Sequence, residues 1–353
     1  MCTRLIKNLD TNNPFFFSIK FAQFGGSLAE SAIRQQQDLH NAFAGLAAQM
    51  SVDADIDGDG ISQWPFFWPP QFEHTAQDFF RISKCEWVGI NNIVRHDQRD
   101  AFVNFTTAHF RDAYKLSHMI RYGNLDRLDD NITKYQGKIT RAFYSNGTLS
   151  FPEDEVRDYY MVRTMQSPPP RDYSKSHNWN LNTSSSQRAM AAFSTLSAVP
   201  GATIFWDASK PGFQTVSKEE HMGYHTDDSA EHPHTYTVHP FYHVAGNTSS
   251  ELVAWAIAYF AWDSPLRNLL PVNVQGLLVV IANDCNNTFS YLINGRDAIF
   301  QGWNDTHDTR YNDMALHVDL SLNANPELRG RVGHCTYRMV SLSRIESIYV
   351  LCY

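Results

Sequence analysis

Apolar or small residues recur near the start of the chain at Phe21, Phe24, Leu28, Ala32, Leu39, Phe43, Leu46 and Met50. The steps are three and four residues, broken only around Gln35 and Gln36. This is the period of one face of an α-helix, so the spacing predicts a single long amphipathic helix. Gly25-Gly26-Ser27-Leu28-Ala29 is one glycine short of a nucleophile elbow and follows no strand, so it reads as the beginning of that helix. The acidic, glycine-bearing stretch Ser51 to Gly60 ends it. The aromatic segment Trp64-Pro65-Phe66-Phe67-Trp68-Pro69-Pro70 cannot resume a helix, because proline has no backbone N–H to donate. Thr75 to Tyr122 is predicted mostly helical, and Ser167 to Pro170 with Ser174 to Gln187 reads as an extended connector.

The C-terminal third carries a different pattern. Glu251 to Trp262 is an apolar run with too few polar positions for a surface helix, and it is predicted as a strand. Ser264 and Pro265 then supply an N-cap and a first-turn proline for a short helix ending by Pro271. After Gly276 comes the run Leu277-Leu278-Val279-Val280-Ile281. Phe289, Tyr291 and Ile293 alternate up to Asn294-Gly295, a strong hairpin signal, before Ala298-Ile299-Phe300 returns. A mostly antiparallel sheet behind a long N-terminal helix makes the fold class α+β rather than a doubly wound nucleotide fold.

Composition narrows the function. The chain has 353 residues, 43% hydrophobic and 19% charged, enough to bury an ordinary core. Its formal net charge of -8, with no basic run interleaved with aromatics, argues against nucleic acid as a partner. The longest apolar run is too short to span a bilayer, and the N-terminus has no recognisable signal peptide. Seven sequons begin at Asn104, Asn131, Asn146, Asn182, Asn247, Asn286 and Asn304, which makes these asparagines glycosylation candidates in a secretory compartment.

Three patterns bear on chemistry. Asp55, Asp57 and Asp59 with Gly58 and Gly60 copy the front of a calcium loop, but the closing acid is missing: the twelfth position is Phe66, counted from Asp55. A solvated loop is the expected reading. His221, His225, His232, His234, His239 and His243 crowd one acidic segment, and neutral imidazole is a common metal ligand. His221 and His225 would share a helical face, yet they lack the internal Glu of a zincin, and Gly223 favours a loop. Finally, no phosphate loop, dinucleotide fingerprint or paired-carboxylate metal site can be assigned, so no cofactor is expected.

The run from Ala261 onward, Trp262-Asp263, Asn268-Leu269-Leu270-Pro271, Val274, Gly276, Val279-Val280, Asn283, Cys285 and Phe289-Ser290-Tyr291-Leu292-Ile293-Asn294-Gly295, continues through Gly302, Asp305, His307-Asp308, Tyr311 and Asp313-Met314 to Cys335-Thr336-Tyr337. In order and spacing it resembles the ectodomain of diatom receptor-type adenylate/guanylate cyclases. The resemblance implies a Cache/CHASE-like double-PAS sensor on the extracellular face, between two membrane spans, with the cyclase domain beyond this chain. It further implies a disulfide between Cys285 and Cys335, an unknown small-molecule ligand, and a homodimer through the N-terminal helix. The chain then divides into an N-terminal segment 1–17, the helix and acidic loop 18–58, a first sensor module 59–250, a PAS-like module 251–345 and an atypical tail 346–353. It departs from the family after Tyr337, and a truncated gene product is expected. Two other readings stay open: a metal-dependent secreted hydrolase using the His221 to His243 cluster, and an adhesion ectodomain making contacts through the Trp64–Trp68 patch.

Overall fold

In a computed structural model of the protein, the described residues are 14–55, 63–69, 71–126, 137–141, 143–145, 148–150, 153–169, 179–180, 194–195, 197–207, 233–244, 246–268, 270–272, 275–306, 316–320, 327 and 335–343. The chain opens with helix α1 (Pro14–Ala54), then α2 (Phe72–Ser83), strand β1 (Trp87–Arg95) and α3 (Arg99–Tyr122). Strands β2 (Thr140–Arg141), β3 (Phe143–Ser145), β4 (Thr148–Ser150), β5 (Tyr159–Ser167), β6 (Trp179–Asn180), β7 (Ile204–Asp207), β8 (His234–Tyr242) and β9 (Leu252–Ala261) follow. The one-turn helix α4 (Asp263–Leu266) leads into β10 (Gln275–Asn283), β11 (Thr288–Asn294), β12 (Asp297–Gly302), β13 (Leu316–Asp319) and β14 (Tyr337–Ser343).

The strands form two main sheets, so the α+β class holds. The first runs β2-β6-β5-β1-β9-β8-β7. Its five longer strands are all antiparallel to their neighbours. Taken alone, those five lie in the order second, first, fifth, fourth, third, so the first and last strands meet at the centre. The second sheet runs β12-β11-β10-β14-β13, also antiparallel. Its β11–β12 turn is the expected Asn294-Gly295 hairpin, with Gly295 at φ 62°.

Strand β9 shows why helices cover one face of the first sheet. Ala254, Ala256 and Ala258 point to the helix side, while Trp255, Ile257 and Tyr259 point to the other. The alanine row keeps that face low, so helices approach the strands closely, and the large side chains fill the opposite face. Helix α1 packs against both sheets. Its first half packs on the second sheet, where a Cβ on Gly25 would stand 3.0 Å from Leu316 and 3.3 Å from Ser341. Its second half packs on β8 and α2, with Phe43 stacked on His239 at 5.4 Å and edge-on to Phe79 at 5.0 Å. Leu28, Phe43, Leu46 and Met50 thus share one core with Phe289, Tyr291 and Met339 of the second sheet.

Several expectations are corrected. Helix α1 starts at Pro14, before the expected boundary at residue 18, and Gly25 and Gly26 lie inside it rather than at its start. The stretch Thr75 to Tyr122 is not one helical region, for β1 divides it and forms the centre of the first sheet. Trp87-Val88-Gly89-Ile90-Asn91-Asn92-Ile93-Val94 is rich in β-branched residues and holds a glycine and two asparagines, all poor helix formers. The apolar stripes on either side mask that signal. Helix α4 begins at Asp263, with Trp262 at its N-cap and no side-chain cap, so Ser264 does not cap it. The segment 251–345 divides between the sheets, since β9 pairs with β1 and β8. Trp64 and Phe67 are buried against Phe241 and the α1 core rather than exposed for surface contacts. Asn92 donates to the Pro65 carbonyl at 3.1 Å and fastens this segment to β1.

The disulfide implied by the resemblance is formed, Cys285 to Cys335, with Cα atoms 5.7 Å apart. Cys335 also donates its N–H to the Phe205 carbonyl of β7 at 2.7 Å, so one residue ties the second sheet's β10–β11 turn to the first sheet. Cys85 is buried, and burial pushes its thiol up to about 12, which leaves it inert as a nucleophile. On α2, Glu73 is fully inside and accepts from Ser167 Oγ at 2.8 Å. Burial raises its carboxyl to about 8, against smaller opposing pulls from Ser167 and Arg121.

Two outcomes follow. Cys335→Ser, which opens a loop of sequence separation 50, is expected to lower unfolding free energy by about 4 kcal/mol, read from denaturant midpoints in the absence of reductant. Glu73 is protonated when folded and ionised when unfolded between its ordinary value of 4.5 and about 8, so its contribution is complete below 4.5 and lost as pH rises through 8. Glu73→Gln is expected to flatten the fall in unfolding free energy across that window by an amount on the order of a few kcal/mol, read from denaturant midpoints at a series of pH values; an unchanged slope would contradict the assignment.

Candidate functional site

The face of the first sheet turned away from the helices brings Arg163 and Asn91 together with Trp87, Tyr236, Tyr259 and His234. Cross-strand pairing lays it out in rows. Tyr236, Tyr259 and Trp87 form one row across β8, β9 and β1. Two residues further along β1, Gly89 stands beside Ile257, and two further still Asn91 lies between Trp255 and Arg163. Trp255 and Met161 are wholly buried on this face.

Arg163 reaches this face because β5 is irregular. Ile90 pairs with Met165 but Asn91 pairs with Arg163, which leaves Thr164 as an extra residue. The consequence is visible in the side chains. Met161 belongs to the outer cluster and Met165 to the helix-side core, although residues four apart in a regular strand share a face. The bulge therefore turns Arg163 outward while Thr164 and Met165 both point to the helices. Tyr114 of α3 donates to the Thr164 carbonyl at 3.0 Å, and Thr164 Oγ1 donates to Asn92 Oδ1 at 3.2 Å, so the bulged residue is satisfied on both counts.

Once outward, the guanidinium lies over the Trp87 ring at 4.7 Å, and its Nε donates to Asn91 Oδ1 at 3.4 Å. Asn91 in turn donates to the Trp255 carbonyl at 3.3 Å. The Trp87 indole crosses directly over Gly89, where an added Cβ would meet Trp87 Cη2 at 2.7 Å and Cζ2 at 2.9 Å. Only a residue without a side chain lets the ring lie there. Desolvation lowers the guanidinium to about 10, against smaller opposing pulls from the Tyr236 and Tyr114 hydroxyls, so it stays charged at neutral pH.

At the far end of the row, His234 stacks on Tyr259 with centroids 4.3 Å apart, and its Nε2 lies 3.6 Å from the wholly buried Glu86. Next to them is the junction between the sheets. Trp262 Nε1 donates to Thr235 Oγ1 at 2.8 Å, and that hydroxyl shares a 2.8 Å hydrogen bond with Tyr337 of β14. Buried Asp263 pairs with Arg267 at 2.8 Å, and burial first, then the Asp263 carboxylate, push the Tyr291 phenol well up.

The sequence candidates fall elsewhere. Asp55 sits just past the end of α1, while Asp57, Asp59, His221 and His225 lie outside the described residues. His234 and His239 are not in an exposed loop but on β8, both buried. His239 shares Thr203 Oγ1 with His40 of α1, each at 3.0 Å. Burial, with a smaller push from His40, lowers His239 to about 3, so it is a neutral core histidine. Among the described residues the only convergent ligand cluster is Asp284 with Cys285 and Cys335, whose sulfurs bond each other. Asn104, Asn247, Asn286 and Asn304 are exposed; Asn131, Asn146 and Asn182 lie outside the described residues. No described helix is long and apolar enough to cross a membrane. Sequence reasoning passed over Arg163, Trp87 and Gly89, and the signal available was a lone arginine within the apolar run Tyr159 to Met165.

Gly89→Ala is expected to displace the Trp87 ring and to cost about 1–3 kcal/mol. It would be read as a changed near-UV circular dichroism band together with a lower melting temperature. Retention of both would mean that the ring does not depend on the glycine. Comparison with known proteins returns no matching family model and no matching curated protein.

Proposed function

We propose that this chain is the extracellular ligand-sensing region of a receptor-type nucleotide cyclase, and that its two sheets are PAS-like modules of the Cache/CHASE kind. The observation that carries the reading is the architecture around α1. One unbroken helix of 41 residues is packed against two antiparallel sheets at once, and in the first of these the first and last strands meet at the centre. A sensor needs a site whose occupancy changes the position of an element leading elsewhere, and a helix gripped by both sheets is such an element. The residues that resemble the cyclase ectodomains support the reading from a second side. They build the junction at Trp262 and Asp263, the β10–β11–β12 meander and the Cys285–Cys335 bond.

In this reading the small ligand lies on the outer face of the first sheet, and β8 relays its presence. That strand carries Tyr236 on the outer face and His239 against Phe43 of α1 on the other. Ligand binding acts only through its different affinity for the two arrangements of strand and helix.

Sequencing the transcript through both ends of this reading frame is expected to find a nucleotide-cyclase catalytic domain in frame downstream. A mature transcript that holds no such domain would overturn the cyclase assignment.

A further inference from the structure

We infer that the cleft between α1 and α2 binds a small organic cation, an ammonium group carried on a linear hydrocarbon chain. This site lies in the helix layer, away from the outer face of the first sheet, and it goes beyond the sensor reading without resting on it. The two helices pack antiparallel, for Gln35 of α1 bonds the Ser83 carbonyl at the end of α2, and further along α1 Phe43 meets Phe79, earlier in α2. The cleft between them holds about 560 Å³, within the range of small-molecule sites. Buried Ala42, Leu46 and Phe79 give it an apolar floor. Gly45 keeps it open. A Cβ added there would meet nothing within 4 Å beyond its own turn of helix, so packing does not call for glycine, which is among the least favoured residues inside a helix. A larger side chain would stabilise α1 and project into the cleft. Space kept free at a cost to the helix points to an occupant.

The walls select the occupant's charge. They carry the carboxylates of Asp53 and Asp78, and among the described residues no lysine or arginine lines them. Asp53 is half-buried in the last turn of α1, where its own helix supplies no basic residue to offset it. Gln49 donates to one of its oxygens at 2.8 Å, which fixes the carboxylate and leaves the second oxygen facing a ligand. Asp78 pairs with Arg81 at 3.2 Å, but the two side chains are 74% and 73% exposed, and a pair so exposed is weak. The antiparallel packing puts Asp53 at one end of the cleft and Ile82 at the other. From Asn41 to Asp53 the cleft follows α1 for about 18 Å at 1.5 Å per residue. Ile82 is apolar and 41% exposed. An ammonium at Asp53 with its hydrocarbon chain laid over Leu46 and Phe79 toward Ile82 answers both the charge and the floor.

The experiment is a calorimetric titration of the full chain at neutral pH with n-butylamine, n-hexylamine and n-octylamine, each beside the alcohol and the carboxylic acid of the same chain length. The expected result is that at least one amine binds while its alcohol and acid bind about tenfold or more weakly. Asp53→Asn, which keeps an oxygen for Gln49 but removes the charge, is expected to bring the amine down to the level of the alcohol. Gly45→Leu is expected to hold or raise the melting temperature, leucine being the better helix former, while weakening the amine by about tenfold or more. Because amine, alcohol and acid are compared on the unaltered protein, the test survives even if a variant misfolds. Equal binding of amine and alcohol would overturn the cation assignment, and undiminished binding by a folded Gly45→Leu protein would overturn the cleft. If none of the amines binds, the whole inference falls, while the sensor reading is decided separately by the transcript.

Discussion

The fold depends on a single apolar stripe that continues along α1 from one sheet to the other. Two five-stranded antiparallel units of this size each have a face to bury, and α1 buries part of both in one core. That is possible only because the helix side is kept low where the helix crosses. On the first sheet this is done by the alanines of β9, and opposite the second by Gly25 of the helix itself. The stripe does not need to be perfectly regular. Gln35, at the break in the hydrophobic pattern, donates to the Ser83 carbonyl at 2.6 Å where α2 ends, so the interruption becomes a polar contact at the point where the helix passes between sheets.

The candidate site is built from departures from regular structure rather than from a motif. A bulge, a glycine under a tryptophan and a tyrosine reaching through from the helix layer are each small, and each is local. Their joint effect is to place one cation on an otherwise aromatic surface. Because Tyr114 belongs to α3 and Asn91 to the central strand, the site is supported from both layers of the first module, which makes its geometry a property of that module as a whole.

The legible parts of the sequence were those where one physical signal dominates a long enough window. The three-and-four spacing of α1, the apolar run of β9 and the Asn-Gly hairpin between β11 and β12 all fall in this class. Strand β1 was hidden because its nine residues lie between two amphipathic helices whose periodicity spills into it. Arg163 was hidden for a deeper reason. Its direction depends on a one-residue register change between β1 and β5, strands 72 positions apart at Asn91 and Arg163, and no local pattern encodes it. The histidine cluster misled in the opposite sense. Residue type suggested a polar loop, whereas His234 and His239 take alternate faces of β8, and strand pairing decides their surroundings.

The length of α1 has a mechanical meaning. At 1.5 Å per residue its 41 residues extend about 60 Å. Held near Phe43 by β8, a tilt of roughly 5° displaces its distant N-terminal end by about 4 Å, a movement larger than the interstrand adjustments that could start it. The helix is therefore a lever with its fulcrum on the first sheet, where β8 meets Phe43, converting a small shift near one end into a large one at the other.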